Sequence, residues 1–262
     1  MKRLSRGIAP ILGALLLVLS LSAASAFAAD KYVALGDSYS AGNGANSTNL
    51  DSSCNRNTYS YPYLLSQQKG YALTFVACAG AVTGDVINSQ VNSITSDTKL
   101  VTITIGGNDI GFTNLIIACT TLGCSSQIAT SQNQINTQLP AKLDATYNAI
   151  RAKSATARVV VLGYGRPFAN PPHTCLAATG VSSSEETSLT TLVDSLNTTI
   201  KTRALAHGFS YADVNPYWAG HDVCASNPFT NGLTIFHTAD SYHPTRNGYA
   251  NGDVPAIRAI VG

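Results

Sequence analysis

Lys31-Tyr32-Val33-Ala34-Leu35-Gly36-Asp37-Ser38-Tyr39-Ser40 is the stretch from which the fold can be read. Lys31 to Leu35 is a short apolar run, the pattern of a buried strand, and Gly36-Asp37 closes it with turn chemistry. Ser38 therefore follows directly on a strand end. The same grammar recurs four times downstream. Tyr71 to Ala77, Leu100 to Ile105, Arg158 to Gly163 and Phe209 to Val214 all read as strands, with Val159-Val160-Val161-Leu162 apolar on both faces. Helical patterns lie between them: Tyr61 to Lys69, Ile110 to Cys119, and a long stretch from Gln127 to Lys153 that Pro140 must kink or restart. Ser183 and Glu186 have capping-box spacing, and the helix behind them carries Leu189, Leu192, Val193, Leu196 and Ile200 as one apolar stripe. A last helix is expected to follow His243-Pro244, because proline is well tolerated at a first helical position. Strands alternating with helices imply an α/β fold with a parallel sheet covered on both faces.

In such sheets ligands bind beyond the carboxyl ends of the strands. Three segments of interest lie there. Ser38 follows the first strand, Gly106-Gly107-Asn108-Asp109 the third, and the loop bearing Asp240-Ser241-Tyr242-His243-Pro244 the fifth. A serine hydroxyl is a weak nucleophile until a base takes its proton, and the base itself must be oriented. Asp240 and His243, three residues apart, can lie on one turn. Asn108 can donate a side-chain N–H to an oxyanion, though Asn108 or Asp109 also suits a helix cap before Ile110. Gly80, in Cys78-Ala79-Gly80-Ala81 after the second strand, lets a backbone N–H approach a ligand closely, or is a plain turn glycine. His173, His207, His221 and His237 read as incidental loop histidines, although His221 and His237 lie in a long loop near the site. Gly-x-Ser-x-Gly, the elbow of the α/β-hydrolases, does not occur around Ser38.

Composition narrows the class. Lys2, Arg3 and Arg6 precede an apolar run from Ile8 to Leu21, and small residues follow at Ala24-Ser25-Ala26 and Ala26-Phe27-Ala28. That is a secretion signal over residues 1–28; the apolar run is shorter than the roughly 20 residues a membrane span needs. Residues 29–262 then form a single domain, with 13 Lys+Arg against 14 Asp+Glu. No basic patch points to nucleic acid, and no polybasic stretch or second apolar span points to membrane insertion. All six cysteines, Cys54, Cys78, Cys119, Cys124, Cys175 and Cys224, fall in this part. An even count in an exported chain argues for disulfides, with fifteen pairings open to six cysteines. Cys-x-x-Cys and His-x-x-x-His spacings are absent, which argues against zinc.

Taken together, Gly36-Asp37-Ser38-Tyr39, Cys78-Ala79-Gly80-Ala81, Gly106-Gly107-Asn108-Asp109 and Asp240-Ser241-Tyr242-His243-Pro244 resemble the conserved blocks of the SGNH (GDSL-type) hydrolases, in order and across nearly the whole exported chain. The likeness is greatest to the secreted actinobacterial esterases, lipases and phospholipases of that family. The resemblance implies a flavodoxin-like three-layer α/β/α sandwich on a central five-stranded parallel sheet. It implies Ser38 as nucleophile, His243 as general base, and an oxyanion hole from the Ser38 N–H, the Gly80 N–H and the Asn108 side chain. It also implies sequential disulfides, Cys54–Cys78, Cys119–Cys124 and Cys175–Cys224, and no metal or cofactor. Tyr39 stands where the family name has leucine, which does not touch the chemistry. Asp240 is expected to orient His243, unless the Ser241 carbonyl does so, as in some members of the family.

The expected activity is extracellular cleavage of small-molecule or lipid carboxylic esters by a monomer. Tyr217, Trp218, Phe229, Ile235 and Phe236 suit an acyl chain near the site, or else they pack the loops around Cys175 and Cys224. A carbohydrate (xylan) acetylesterase is the alternative enzyme. A non-catalytic binding protein on the same fold is the alternative of another class, which loss of Ser38 or His243 would have favoured.

Overall fold

The computed structural model describes residues 28–262 apart from Leu122, Ile235 and Phe236. The expected secretion signal and two of the expected apolar site residues, Ile235 and Phe236, thus lie outside the described residues.

Five parallel strands build the sheet: β1 (Lys31–Gly36), β2 (Ala72–Phe75), β3 (Leu100–Thr104), β4 (Arg158–Leu162) and β5 (Ser210–Ala212), in the order β2-β1-β3-β4-β5. This is the doubly wound flavodoxin-like order, whose switch point lies between β1 and β3. Alternate side chains of the strands supply two separate cores. Val33, Leu35, Val101, Ile103, Val159 and Val161 enter one; Tyr32, Ala34, Val160 and Leu162 enter the other. That two-sided burial is why the inner strands read as continuous apolar runs. The edge strands β2 and β5 are shorter than their apolar segments predict, since each has a neighbour on one side only.

Helices α1 (Ser38–Ala41) and α2 (Tyr61–Lys69) follow β1; α3 (Thr83–Asn88) follows β2. After β3 come α4 (Phe112–Cys119), α5 (Ser125–Thr137) and α6 (Leu139–Lys153), and Pro140 sits in the first turn of α6, where it restarts the helix rather than kinking it. Helix α7 (Ser183–Ala206) spans the first core, and α8 (Asn215–Trp218) and α9 (Val254–Val261) close the second.

Three details differ from the sequence reading. The capping box of α7 is one residue earlier: Ser182 has extended backbone and accepts from the Glu185 N–H, and Glu185 returns the bond to the Ser182 N–H. Glu186, freed from that role, turns inward and is buried. Neither Asn108 nor Asp109 caps the helix that follows. Asp109 accepts instead from the N–H and hydroxyl of Thr83, at the start of α3. Pro244 itself stays outside the last helix, held in an isolated antiparallel bridge with Thr230; helical backbone follows from Arg246, passes through a π-helical turn, Gly248–Asp253, and continues as α9 with Pro255 in its first turn.

The three disulfides join neighbours in sequence, Cys54–Cys78, Cys119–Cys124 and Cys175–Cys224. Cys119–Cys124 closes the turn between α4 and α5. Among the described residues no helix is long and apolar enough to cross a membrane.

Candidate active site

The chain leaves β1 at Gly36, and Asp37 caps the short helix α1 by accepting from the Tyr39 N–H at 3.0 Å. Capping turns Ser38 into the first helical position, where its own N–H has no helical partner. The Ser38 carbonyl accepts from the N–H groups of Gly42 and Asn43. Ser38 Oγ lies 2.7 Å from Nε2 of His243, and both residues are buried, at 6% and 3% exposure.

The other imidazole nitrogen, Nδ1, is 3.1 Å from the carbonyl oxygen of Ser241. A carbonyl only accepts, so the Nδ1 proton is fixed there and Nε2 is left as the acceptor facing the Ser38 hydroxyl. Asp240 is not on the imidazole. Its Oδ1 accepts the Gly44 N–H at 2.8 Å, and its own carbonyl accepts the His243 N–H at 3.2 Å. Asp240 therefore ties the histidine loop to the turn after α1. Gly44 has to be glycine: its φ is +87°, and a Cβ would lie 2.4 Å from the Pro244 carbonyl oxygen. Asn231 adds two bonds from its Nδ2, to the carbonyls of Gly44 and His243, both at 3.0 Å.

Tyr242, just before the histidine, has φ of +56°, a left-handed conformation that costs a branched or bulky residue about 1–2 kcal/mol. The Tyr39 hydroxyl holds it there by donating to the Tyr242 carbonyl at 2.8 Å, and the Tyr39 ring packs 5.1 Å from the imidazole centroid. Tyr39 thus anchors the loop that carries His243 through its hydroxyl and its ring.

Gly80 and Asn108 face the same cleft, of about 560 Å³, as Ser38 and His243. Among the described residues the N–H groups of Ser38 and Gly80 have no acceptor within the protein. Gly80 has φ of +81° and open space around it, so conformation rather than room requires glycine. One hydrogen of Asn108 Nδ2 goes to the Ala81 carbonyl at 3.0 Å, which leaves the second for a ligand in the cleft.

A buried link joins these halves. The Tyr164 hydroxyl donates to Asp37 Oδ2 and accepts the Gly107 N–H at 2.9 Å, so one side chain braces the residue before Ser38 and the residue before Asn108. Gln90 clasps Gly36 in the same way, accepting its N–H and donating to its carbonyl. None of Asp37, Gln90, Tyr164 and Asn231 was assigned a role from sequence. Asp37, directly after β1, and Tyr164, at the carboxyl end of β4, were reachable by the strand-end rule; Gln90 and Asn231 carry no local signal.

Burial sets the electrostatics. Desolvation pushes the His243 imidazole down to about 4, against the Ser241 carbonyl and the Asp240 charge, which favour the proton. Burial also raises Asp37 to about 7, opposed by its bonds from Tyr164 and the Tyr39 N–H. A base must be neutral to accept a proton, so with His243 as the expected base kcat/KM should hold as pH falls through 6 and decline only as it approaches 4. The same shift gives a stability term. The unfolded imidazole takes a proton near pH 6.5 while the folded one does not, so this contribution is present above that pH and is lost as pH falls through the window down to about 4. A pH–rate profile checks the first statement, and an acid limb centred at or above 6.5 contradicts it.

The chain matches the model of the GDSL-like lipase/acylhydrolase family over residues 34–250. It is 41% identical over 240 residues to a protein named Lipase 1 of Streptomyces coelicolor, covering 90% of this chain and 88% of that one. The crystal structure of an extracellular lipase from Streptomyces rimosus superposes with a TM-score of 0.84 at 40% identity, covering 88% of this chain and 99% of that one. A phospholipase A1 from Streptomyces albidoflavus NA297 superposes with a TM-score of 0.84 at 39% identity, over the same shares.

Proposed function

Because the chain belongs to the GDSL-like lipase/acylhydrolase family, and is a carboxylic-ester hydrolase, we propose that Ser38 and His243 carry the reaction as a dyad oriented by the Ser241 carbonyl. The observation that supports this best is the unbroken chain from Ser38 Oγ to Nε2, and from Nδ1 to the Ser241 oxygen. As Ser38 Oγ attacks the ester carbonyl, Nε2 takes its proton, and the imidazolium so formed stays bonded to Ser241. The oxyanion is met by the N–H groups of Ser38 and Gly80 and by the free hydrogen of Asn108. His243 then protonates the leaving alcohol, and an incoming water, deprotonated by the same imidazole, releases the acid from Ser38.

The substrate is a lipid ester, in line with relatives named lipase and phospholipase A1. The enzyme acts outside the cell, with residues 1–28 as its leader, a location that fits three disulfides. Ser38, Gly80, Asn108 and His243 all come from one chain, so a monomer suffices.

A fluorophosphonate probe tests the assignment. The probe should label the wild-type protein at Ser38 and nowhere else, and a protein that takes no label would be a binding protein on this fold. Asp240→Asn should lower kcat less than tenfold, because the carboxylate touches Gly44 rather than the imidazole. A triad carboxylate would cost about ten-thousand-fold, and a loss on that scale would return the orienting role to Asp240.

A further inference from the structure

The cleft around Ser38 is the middle of a longer surface that changes character from end to end. On one side Gly111 and Asn114 line both the cleft and a groove of about 540 Å³ between α4 and α5, whose floor is Ile110, Leu115 and Ala118. On the other side Asn43, Asn55, Thr238 and Ala239 are shared with a polar cleft of about 570 Å³. That cleft adds Asn46, Ser47, Thr48 and His237, with Asp240 as its one carboxylate and no lysine or arginine among its described residues.

The proton path decides which way an ester lies across this surface. The leaving oxygen must face His243 Nε2, since that nitrogen delivers its proton. His243 lines the central cleft together with Thr238 and Ala239, the wall shared with the polar cleft, so the alcohol lies toward the polar cleft. The acyl carbon then points past Asn108, toward Gly111 and the α4–α5 groove. We propose that this orientation is built in: the acyl chain runs over Ala118 between α4 and α5, and the polar cleft holds a hydroxyl-bearing alcohol of the glycerol type. Each methylene laid in the groove leaves water, which favours longer chains. Amide and hydroxyl groups suit a polyol, whereas a phosphate would find no lysine or arginine there and would lie against the Asp240 carboxylate. The Thr238 hydroxyl has no partner among the described residues and sits where both clefts meet.

The inference rests on the serine–histidine reading, and the experiment separates the two. Ala118→Trp and Gln134→Trp fill the groove from α4 and from α5. In each variant the ratio of kcat/KM on p-nitrophenyl decanoate to that on the acetate should fall by about tenfold or more, the loss expected when two methylenes stay in water. Taking the ratio within one variant cancels any loss of folded protein. For the alcohol side, the wild type should favour monodecanoylglycerol over methyl decanoate by about tenfold, a gap that Thr238→Val narrows several-fold. Decanoyl-glycerophosphocholine, sharing the glycerol, should do no better than monodecanoylglycerol. A wild type active on these esters, with chain-length ratios unmoved in both tryptophan variants, overturns the orientation alone. So does a groove variant that changes the glycerol preference instead of the chain-length ratio. A wild type inactive on every ester overturns the serine–histidine reading as well.

Discussion

Replacing Ser38 by alanine is expected to lower kcat on a p-nitrophenyl ester by about ten-thousand-fold or more while the protein stays folded. The removed oxygen has a single side-chain partner, His243 Nε2, so the fold loses one hydrogen bond. The carbonyl of residue 38 still accepts from Gly42 and Asn43, and Asp37 still caps α1, so the turn that presents the site survives. Circular dichroism and the midpoint of thermal unfolding should therefore stay close to wild type. His243→Ala should cost a similar factor, and the double variant little more than either alone. A nucleophile and its base work as one unit, and losing either removes the same step. Nearly additive losses would mean that the imidazole and the hydroxyl act separately. A Ser38→Ala protein retaining more than a hundredth of wild-type kcat would remove Ser38 from the chemistry.

The parts of this molecule that were legible in the sequence are those with a local physical signal. Val33 and Leu35, Val101 and Ile103, and Val159 and Val161 pack one face while their neighbours pack the other, and two-sided burial writes itself as an apolar run. Ser38, Gly80 and Asn108 were legible because each follows a strand end, and the doubly wound topology gathers those ends. Asp240 misled because sequence spacing reports proximity and not direction. The left-handed Tyr242 turns the chain so that the Ser241 carbonyl reaches Nδ1, while the Asp240 carboxylate faces Gly44. The brace from Tyr164 to Asp37 and Gly107 joins residues far apart in the chain, and no spacing rule can find such a contact. The α7 cap slipped by one residue because four serines and glutamates in a row, with Ser182 before them, offer two capping frames. Only the packing that buries Glu186 chooses between the frames.

The second large effect is expected at Asn108. Asn108→Ala should reduce kcat by about a hundred- to a thousand-fold, or about 2.7–4 kcal/mol of transition-state stabilisation, with KM nearly unchanged. The asymmetry between the two constants follows from when the interaction forms. The ground-state carbonyl oxygen is a weak acceptor, and the donor is aimed at the charge that develops on it, so its loss falls on kcat. Two features of the structure set the size of the effect. The Asn108 amide is already oriented by its bond to the Ala81 carbonyl, so no reorganisation is needed when the oxyanion appears. That same bond ties Asn108 to the loop presenting the Gly80 N–H, so truncation at 108 loosens a second donor as well. Asn108→Asp should be worse than alanine despite its closer shape. A carboxylate in place of the amide only accepts, so it meets the Ala81 carbonyl acceptor to acceptor and the oxyanion with like charge. Steady-state kinetics on one soluble ester, run on both variants, gives the comparison. A fall in kcat of less than tenfold in Asn108→Ala, or an aspartate variant more active than the alanine one, would take Asn108 out of the oxyanion hole and leave the two backbone N–H groups to stabilise the charge alone.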